Sequence, residues 1–390
     1  MRNYDASWLT CLAGLDSSGR LRRLRAADRR PGARIRLDGG PALLDFSSND
    51  YLGLSHHPDL IARACAYTQE WGVGAGASRL VSGNLPPFAK IEAQLAEGKG
   101  SQAALLFVSG VQANMTLLPA LLDAKVLGAE PLVYADRLNH ASLIQGCIGA
   151  GVQQIRFRHN DFAHLEELLA RDAGQDRPRF IITESVFSMD GDCADIPRLT
   201  ALAERYDAFL YIDEAHATGV LGEAGFGLAH GLKNALVMGT FSKGLGGFGA
   251  YAAVSAPLRE YLVNRCGGII YATALPPAVL GAMAAALDLI PQLGEARAHL
   301  GALGAFFRAR LHAAGLNTGA STTQIVPLML GTEERALRVA RALEAEGFLG
   351  IAIRPPTVPA GTSRIRFALS ALHKMAEIDE LADAIIRLAT

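Results

Sequence analysis

Along most of the chain, short apolar runs alternate with longer stretches in which apolar residues recur every three or four positions. A short run bounded by turn residues predicts a buried strand, and the longer spacing predicts an amphipathic helix. The predicted strands are 103–108, 132–134, 179–183, 209–212 and 236–239, and the predicted helices between them include 112–122, 164–169 and 197–206. This alternation predicts an α/β fold with a mostly parallel central sheet and helices on both faces.

The pattern changes after the paired prolines 276–277, where a long alanine-rich helical region begins. An αβ-type tail follows, with a strand at 363–369 and a final helix from about Met375. We therefore predict a smaller C-terminal αβ domain. The predicted division is an N-terminal segment at 1–45, a large domain at 46–283 and the small domain at 284–390.

Composition and charge exclude several classes of protein. Half of the residues are hydrophobic (50%) and 19% are charged, which is ordinary for a packed globular chain. The net charge of -1 argues against bulk binding to nucleic acid or a membrane surface. The arginine-rich stretch at 15–36 is interpreted mainly as a solvated helix face followed by a loop.

The compartment is expected to be the cytoplasm. The five cysteines are scattered, odd in number and form no CxxC pair, which is typical of a reducing compartment and not of a disulfide framework or a zinc site. The first nine residues are polar and contain Asp5, which is unlike a signal peptide. The apolar stretch at 274–293 contains Asp288 and the paired prolines 276–277, so it is predicted to be a buried helix and not a membrane span.

Polar residues that could take part in binding or catalysis follow the predicted strands directly. In open α/β sheets the ligand lies outside the carboxyl ends of the strands, so these residues are expected to share one crevice. The backbone N–H groups of Gly110 and Val111 would lie at a helix N-terminus, which is a natural phosphate site. The other candidates are His140, Ser188, Asp213, His216, Thr240 and Lys243.

Two of these motifs have alternatives. A lysine in such a crevice is poorly solvated, which favours its nucleophilic amine; taken alone, however, Lys243 fits an exposed surface position better. The glycines at 244–249 match GxGxxG only weakly, because a strand-like run follows them instead of a helix. The letters Asp-Glu-Ala-His at 213–216 also occur in helicase ATPases, but the phosphate loop that such a nucleotide-binding module needs is missing from the sequence.

The order of these motifs carries more information than any one of them. The segments 46–54, 136–142, 186–192, 212–219, 240–244 and 354–362 resemble the α-oxoamine synthase family, a group of fold-type I enzymes that depend on pyridoxal 5′-phosphate (PLP). The resemblance extends from about residue 20 to the C-terminus. Val111 departs from it, since an aromatic residue is common at this position, but only its backbone N–H is needed for phosphate.

The resemblance implies a set of cofactor contacts. Lys243 would hold PLP covalently and later act as the base at the amino acid's Cα. Asp213 would face the pyridine nitrogen and keep the ring an effective electron sink. His216 would bind the phenolic oxygen, His140 would stack on the ring, and Ser188 would hold the ring oxygen or position His140.

The resemblance also implies a phosphate site shared between two subunits. Gly110, Val111 and Thr240 would bind the cofactor phosphate from one protomer. Thr273 would reach the phosphate of the partner subunit, because these enzymes build their sites at a two-fold interface. A homodimer is therefore expected, and no metal is expected.

Substrate contacts are implied mainly outside these motifs. Alternation in the strand at 363–369 puts Arg364 and Arg366 on one face, and the period cannot choose between them. The resemblance selects Arg366, aided by Asn49, for the carboxylate of the amino acid, and adds Thr357 as a further substrate contact. Arg25 would contact the carboxylate of the acyl chain or the phosphate of its carrier.

The implied reaction is the decarboxylative condensation of an amino acid with an acyl thioester. The runs at 47–53 and 354–361 favour the biotin branch of the family, which joins L-alanine to a pimeloyl thioester. The thioester could be pimeloyl-CoA or pimeloyl-acyl carrier protein, and the sequence leaves that choice open. The alternatives are members that use glycine, for example with acetyl-CoA, and the branch that joins serine to a palmitoyl group.

Overall fold

A computed structural model describes residues 3–389 of the chain. It divides into two compact units. The large unit comprises Asn49–Ser188 and Asp192–Leu300, and the small unit comprises the residues before Asn49, Met189–Gly191 and those from Gly301 onward. The N-terminal segment thus belongs to the same unit as the C-terminal part, and residues 284–300 belong to the large unit.

The helices and strands are as follows. The helices are α1 (Tyr4–Ser17), α2 (Pro58–Trp71), α3 (Pro87–Lys99), α4 (Gly110–Leu121), α5 (Ala124–Leu127), α6 (Ala141–Gly149), α7 (Phe162–Arg171), α8 (Ile196–Arg205), α9 (Ala256–Arg265), α10 (Gly267–Ile270), α11 (Pro277–Leu289), α12 (Gly294–Ala313), α13 (Glu333–Ala345) and α14 (Met375–Ala389). The strands are β1 (Ala27–Arg29), β2 (Arg34–Leu37), β3 (Ala42–Asp45), β4 (Ala103–Phe107), β5 (Leu132–Asp136), β6 (Gln154–Phe157), β7 (Arg179–Glu184), β8 (Ala208–Asp213), β9 (Ala235–Thr240), β10 (Ala250–Val254), β11 (Ile325–Gly331), β12 (Phe348–Leu349), β13 (Ile351–Ile353) and β14 (Ser363–Ala368).

The large unit is built on a seven-stranded sheet in the order β4-β10-β9-β8-β7-β5-β6. All neighbouring strands are parallel except β10, which runs antiparallel to both β4 and β9. The predicted mostly parallel sheet is therefore confirmed. The five predicted strands are found as β4, β5, β7, β8 and β9, while β6 and β10 were not among them.

The central strand β8 explains why the site forms where it does. Leu210, Tyr211 and Ile212 are buried at 0–1% exposure, because β8 lies between β7 and β9 in the middle of the sheet and its residues must be apolar on both faces. Helices α4 and α6 add Leu117, Leu143 and other side chains to the same core. The strand ends at Asp213, which is the first charged residue after this apolar run.

A buried ion pair fixes the segment that follows β8. The ammonium group of Lys99, at the end of α3, contacts the carboxylate of Glu214, and the two side chains are 1% and 0% exposed. Glu214 also accepts the backbone N–H groups of Leu228 and Ala229 at 2.7 and 2.9 Å. The buried charges are thus fully compensated, as burial requires.

The small unit contains a four-stranded sheet in the order β1-β2-β3-β12 and a three-stranded sheet in the order β11-β14-β13. The predicted strand at 363–369 is β14, and the predicted final helix is α14. Both arginines of β14 are buried, Arg364 at 4% and Arg366 at 6% exposure. Neither arginine therefore lies on an exposed face of the strand.

The apolar stretch at 274–293 forms α11, most of whose residues are buried. No single described helix is long and apolar enough to cross a membrane. One bent pair, Pro277–Gln292 with Gly294–Ala313, meets the length and composition criteria only when its two helices are taken together. The predicted buried helix is confirmed.

Candidate active site

The large unit brings an amine, an imidazole and a phenol into one hydrogen-bonded chain. Lys243 Nζ lies 2.8 Å from Nε2 of His216, and Nδ1 of His216 lies 2.6 Å from the hydroxyl of Tyr51. The hydroxyl of Tyr51 in turn donates to Oδ1 of Asn49 at 3.0 Å. Tyr51 and His216 are buried, so the ring of His216 is held from both sides.

The turn that carries Tyr51 is seated on the loop that carries Lys243. Gly246 has a positive φ of 64°, and an added Cβ would lie 2.5 Å from the backbone of Leu54 and Ser55. Glycine is therefore required at this position for both conformation and space. Asp50 closes the same turn, because its carboxylate accepts the N–H groups of Leu54 and Ser55 at 2.9 and 3.2 Å.

Asp213 is anchored at the end of β8 by two neutral donors. Its Oδ1 accepts the N–H of Ala215 at 2.9 Å, and its Oδ2 accepts from Nδ2 of Asn114 at 2.8 Å. The side chain is buried at 5% exposure. These two bonds fix the plane of the carboxylate without neutralising its charge, which leaves it suited to a cationic N–H partner.

His140 caps the N-terminus of α6 with its own side chain. Its Nδ1 accepts the backbone N–H of Ser142 at 3.2 Å and lies 2.7 Å from the Ser142 hydroxyl. Its backbone N–H donates to Glu184 Oε1 at 2.6 Å. Burial lowers the pKa of His140, and Lys243 lowers it further against the opposing effect of Asp213, so its imidazole is neutral at physiological pH.

A second carboxyl group lies behind His140. Glu184, at the end of β7, is buried at 2% exposure. Burial raises the pKa of Glu184 well above its ordinary range, and the charge of Asp213 raises it further. The carboxyl groups at these two neighbouring strand ends therefore differ in role. Glu184 accepts the backbone N–H of His140, whereas Asp213 accepts from the side chain of Asn114.

The predicted phosphate site lies at the start of α4. Ser109 caps this helix, its Oγ accepting the N–H of Gln112 at 3.2 Å. The first N–H groups of a helix have no intrahelical acceptor, so those of Gly110 and Val111 are available to an anion. An added Cβ at Gly110 would meet only Met238, at 3.8 Å, so space does not require glycine there.

Thr240 organises the loop after β9. Its buried hydroxyl donates to the carbonyl of Gly249 at 2.8 Å and accepts the N–H of Ser242 at 3.2 Å. The hydroxyl of Ser242 lies 2.7 Å from the same oxygen and is more exposed. Ser242 is thus an additional hydroxyl at this end of the sheet that the sequence analysis did not single out.

The remaining predicted contacts of the large unit lie in loops. Ser188 is half-buried in the loop after β7. Thr273 is exposed and forms an isolated β-bridge with Ser78. The roles of Ser188 and Thr273 stay predictions.

Of the predicted substrate residues, Asn49 and His140 lie in the large unit, and Arg25, Thr357 and Arg366 lie in the small unit. Arg364 binds Asp190 at 2.5 Å and the carbonyls of Thr362 and Met189 at 3.0 and 3.3 Å. Arg366 lies on the same buried strand. Thr357 is exposed in the turn after β13, where its N–H donates to the carbonyl of Arg354 at 3.0 Å.

Arg25 is held by two carboxylates of the small unit. Its guanidinium binds Asp38 at 2.9 Å and Glu344 at 2.8 Å. An acyl-chain carboxylate would have to compete with these ion pairs or add to them. The predicted contact of Arg25 with the acyl donor stays a prediction.

The sequence analysis missed the polar residues that connect the predicted ones. Asn114, Ser142 and Tyr51 are buried and bond to Asp213, His140 and His216 respectively, and the buried Tyr211 donates to Asn114. One signal was available: Asn114 lies on the apolar face of α4, three residues before Leu117. A polar side chain on such a face must find buried partners.

Comparisons with known proteins agree with this geometry. The family model for class I and II aminotransferases matches residues 41–385. The 8-amino-7-oxononanoate synthase of Gluconacetobacter diazotrophicus is 56% identical over 99% of this chain and 97% of that protein.

Solved structures of related enzymes are also similar to this chain. A structure of 8-amino-7-oxononanoate synthase from Francisella tularensis has a TM-score of 0.76 at 25% identity and covers 88% of this chain and 97% of that chain. A serine palmitoyltransferase variant from S. paucimobilis with bound PLP–myriocin has a TM-score of 0.89 at 26% identity and covers 98% and 96%. The chain therefore belongs to the class I and II aminotransferases and, within them, to the α-oxoamine synthases that include 8-amino-7-oxononanoate synthase, as its motifs indicated.

Proposed function

We propose that this chain condenses L-alanine with a pimeloyl thioester, releasing CO2 and the free carrier thiol and giving 8-amino-7-oxononanoate for biotin synthesis. The observation that carries the proposal is the 56% identity, over 99% of the chain, to a relative with that name. The 2.8 Å contact between Lys243 Nζ and His216 Nε2 supports a reactive amine at the expected place. We further propose that the enzyme works in the cytoplasm as a homodimer.

The donor set fits PLP as the cofactor. Lys243 offers an amine for the aldehyde carbon, and Asp213 offers a buried carboxylate for the pyridine N–H. His216 offers an imidazole for the phenolic oxygen. Gly110 and Val111 offer the backbone N–H groups of a helix start for the phosphate. When bound, PLP supplies the electron sink that stabilises a carbanion at the amino acid's Cα.

Lys243 would move the proton. Its amine is half-buried and hydrogen-bonded to His216, whose ring cannot turn freely because Tyr51 holds Nδ1. The amine of Lys243 would accept the α-proton of the amino acid at Nζ and later return a proton to the product. A general base must lie within hydrogen-bond reach of the proton that it abstracts, and the bond to His216 holds Nζ of Lys243 at the proposed site.

His140 would orient the reacting groups as a neutral imidazole. Its lowered pKa keeps it uncharged, so its flat face can stack on an aromatic ring without opposing the positive charge of a protonated pyridine. The proton on Nε2 remains available as a donor to a carbonyl or carboxylate oxygen of the substrate. Ser188 would support this face of the site.

Arg366 would select an amino acid by its carboxylate. A guanidinium binds a carboxylate through two parallel hydrogen bonds, and burial in β14 limits its rotation. Asn49 and Thr357 would add polar contacts. We propose Arg25 for the distal carboxylate or the carrier phosphate of the acyl donor, which would be pimeloyl-CoA or pimeloyl-acyl carrier protein.

The partner subunit completes the proposed site. Thr240 would hold the cofactor phosphate through the loop that it organises. Thr273 would reach the phosphate of the neighbouring protomer, which its exposed position allows. Neither contact requires a metal ion.

The test is product analysis with the PLP-loaded enzyme. L-Alanine, glycine and L-serine are each combined with pimeloyl-CoA, pimeloyl-acyl carrier protein, acetyl-CoA and palmitoyl-CoA, with Lys243→Ala as the matched control. We expect 8-amino-7-oxononanoate and CO2 from L-alanine with a pimeloyl donor only. Faster turnover of glycine with acetyl-CoA, or of serine with palmitoyl-CoA, would assign the chain to another branch of the family.

A further inference from the structure

We propose that Asn114 is a positioning residue that sets the orientation of Asp213 and the tautomer of His140 through one directed hydrogen-bond network. The inference rests on the proposed function, because it gives these two residues their roles toward the cofactor ring. It adds a residue for which neither the motifs nor the family resemblance supplied a role.

All polar atoms of the Asn114 side chain are engaged. Its Nδ2 donates to Asp213 Oδ2 at 2.8 Å and to Ser142 Oγ at 2.9 Å. Its Oδ1 accepts from the hydroxyl of Tyr211 at 2.7 Å. These four residues are 0–5% exposed, so water does not compete for the bonds.

The network has one direction. The amide turns Nδ2 toward Oδ2 of Asp213 and Oδ1 toward the hydroxyl of Tyr211, since Nδ2 can only donate and Oδ1 can only accept. The same Nδ2 donates to the Ser142 hydroxyl, whose own proton is then directed at His140 Nδ1, 2.7 Å away.

A second, longer contact favours the same tautomer. The backbone N–H of Ser142 donates to His140 Nδ1 at 3.2 Å, and a backbone N–H cannot act as an acceptor. Nδ1 therefore accepts, and the proton of the neutral ring lies on Nε2. The amide of Asn114 strengthens this arrangement by aligning the Ser142 hydroxyl.

Close helix packing brings Asn114 to these partners. An added Cβ at Gly146 of α6 would lie 2.5 Å from the backbone oxygen of Asn114, so the missing side chain lets α6 and its first-turn residue Ser142 approach α4. Gly110, which starts the proposed phosphate site, lies four residues before Asn114 on the same helix. One helix thus positions the phosphate donors and both ring-contacting residues.

The test compares variants in two measurements. The histidine ¹⁵N spectrum of the protein without PLP reports the tautomer, and His140→Gln identifies the His140 signal by its loss. In Asn114→Leu and the milder Asn114→Ser, we expect the His140 signal to shift from a single Nε2–H form toward a mixture. With PLP bound, exchange of the alanine α-proton should fall about tenfold to a hundredfold, the effect of losing one or two buried hydrogen bonds.

Tyr211→Phe is the matched control, since it keeps both donors of Asn114 and removes only the bond to Oδ1. We expect it to retain the tautomer and lose less exchange activity. An unchanged tautomer and unchanged exchange in both Asn114 variants would overturn the proposal. If the wild type fails to turn over alanine at all, the proposed function is rejected, and the tautomer measurement alone then decides the positioning role.

Discussion

Substitution of Arg364 and of Arg366 should have different effects, although the two arginines share one face of β14. Arg364 is committed to Asp190 and to two backbone carbonyls within the small unit. Arg366 is the proposed ligand of the alanine carboxylate. Arg366→Ala should therefore weaken alanine binding, whereas Arg364→Ala should weaken the fold.

The magnitudes follow from the bonds each change removes. Losing a charge-assisted guanidinium–carboxylate pair costs about 1.5–3 kcal/mol, which corresponds to a roughly ten- to hundredfold loss of alanine affinity in Arg366→Ala. Arg366→Lys should recover only part of it, because an ammonium group cannot reproduce the planar pair of donors. In Arg364→Ala the same range of about 1.5–3 kcal/mol should appear in the free energy of unfolding.

The assay is a spectral titration of each PLP-loaded variant with L-alanine, paired with urea unfolding of the same samples. Arg366→Ala should keep the wild-type spectrum before alanine is added and keep its unfolding midpoint. Arg364→Ala should unfold earlier but bind alanine with near wild-type affinity. Equal weakening of alanine binding in both variants, or a larger effect at Arg364, would show that the carboxylate is assigned to the wrong residue.

Three further predictions address the cofactor site and its support. Lys243→Ala should lose turnover and the visible absorbance that borohydride traps in the wild type; a trapped adduct on another lysine would contradict the assignment. Asp213→Asn should keep the fold but slow exchange of the alanine α-proton in D2O by several orders of magnitude, since each roughly 1.4 kcal/mol of lost stabilisation costs tenfold, and near wild-type exchange would rule this role out. Although burial opposes it, hydrogen bonds to Asp136 and Asp192 raise the pKa of His159 to about 10. Because this pKa is raised on folding, the stabilisation is complete below about pH 6.5 and is lost as the pH rises toward 10. His159→Gln should flatten the unfolding free energy over that window, and an unchanged pH profile would refute the reasoning.

The sequence predicted the sheet because its central strands are apolar on both faces. Strand β8 reads Ala-Phe-Leu-Tyr-Ile-Asp, a continuous apolar run that is typical of a strand buried on both faces. Strand β6, Gln154–Phe157, is short and half polar, so it gave no such signal. Strand β10 was noticed only as a strand-like run after the glycines.

A site residue was predictable from the sequence only where its position directly after a strand determines which edge of the sheet it occupies. Asp213 and Lys243 follow predicted strands, so the parallel sheet alone directs them to one edge. The bond from Asn114 to Asp213 joins residues 99 positions apart, and the ion pair of Arg25 with Glu344 spans 319. Contacts of that kind depend on how α4 packs and how the small unit folds, which local pattern does not encode.

The neighbouring acids Asp213 and Glu214 serve unrelated purposes, and this affects how inactive variants should be interpreted. Glu214 holds the buried ammonium of Lys99 and the backbone N–H groups of Leu228 and Ala229, so its removal leaves an uncompensated charge in the core. An activity screen at one temperature would score Glu214 and Asp213 variants alike. Measuring soluble yield and cofactor absorbance at low temperature would distinguish a variant that fails to fold from a folded variant that has lost only its activity.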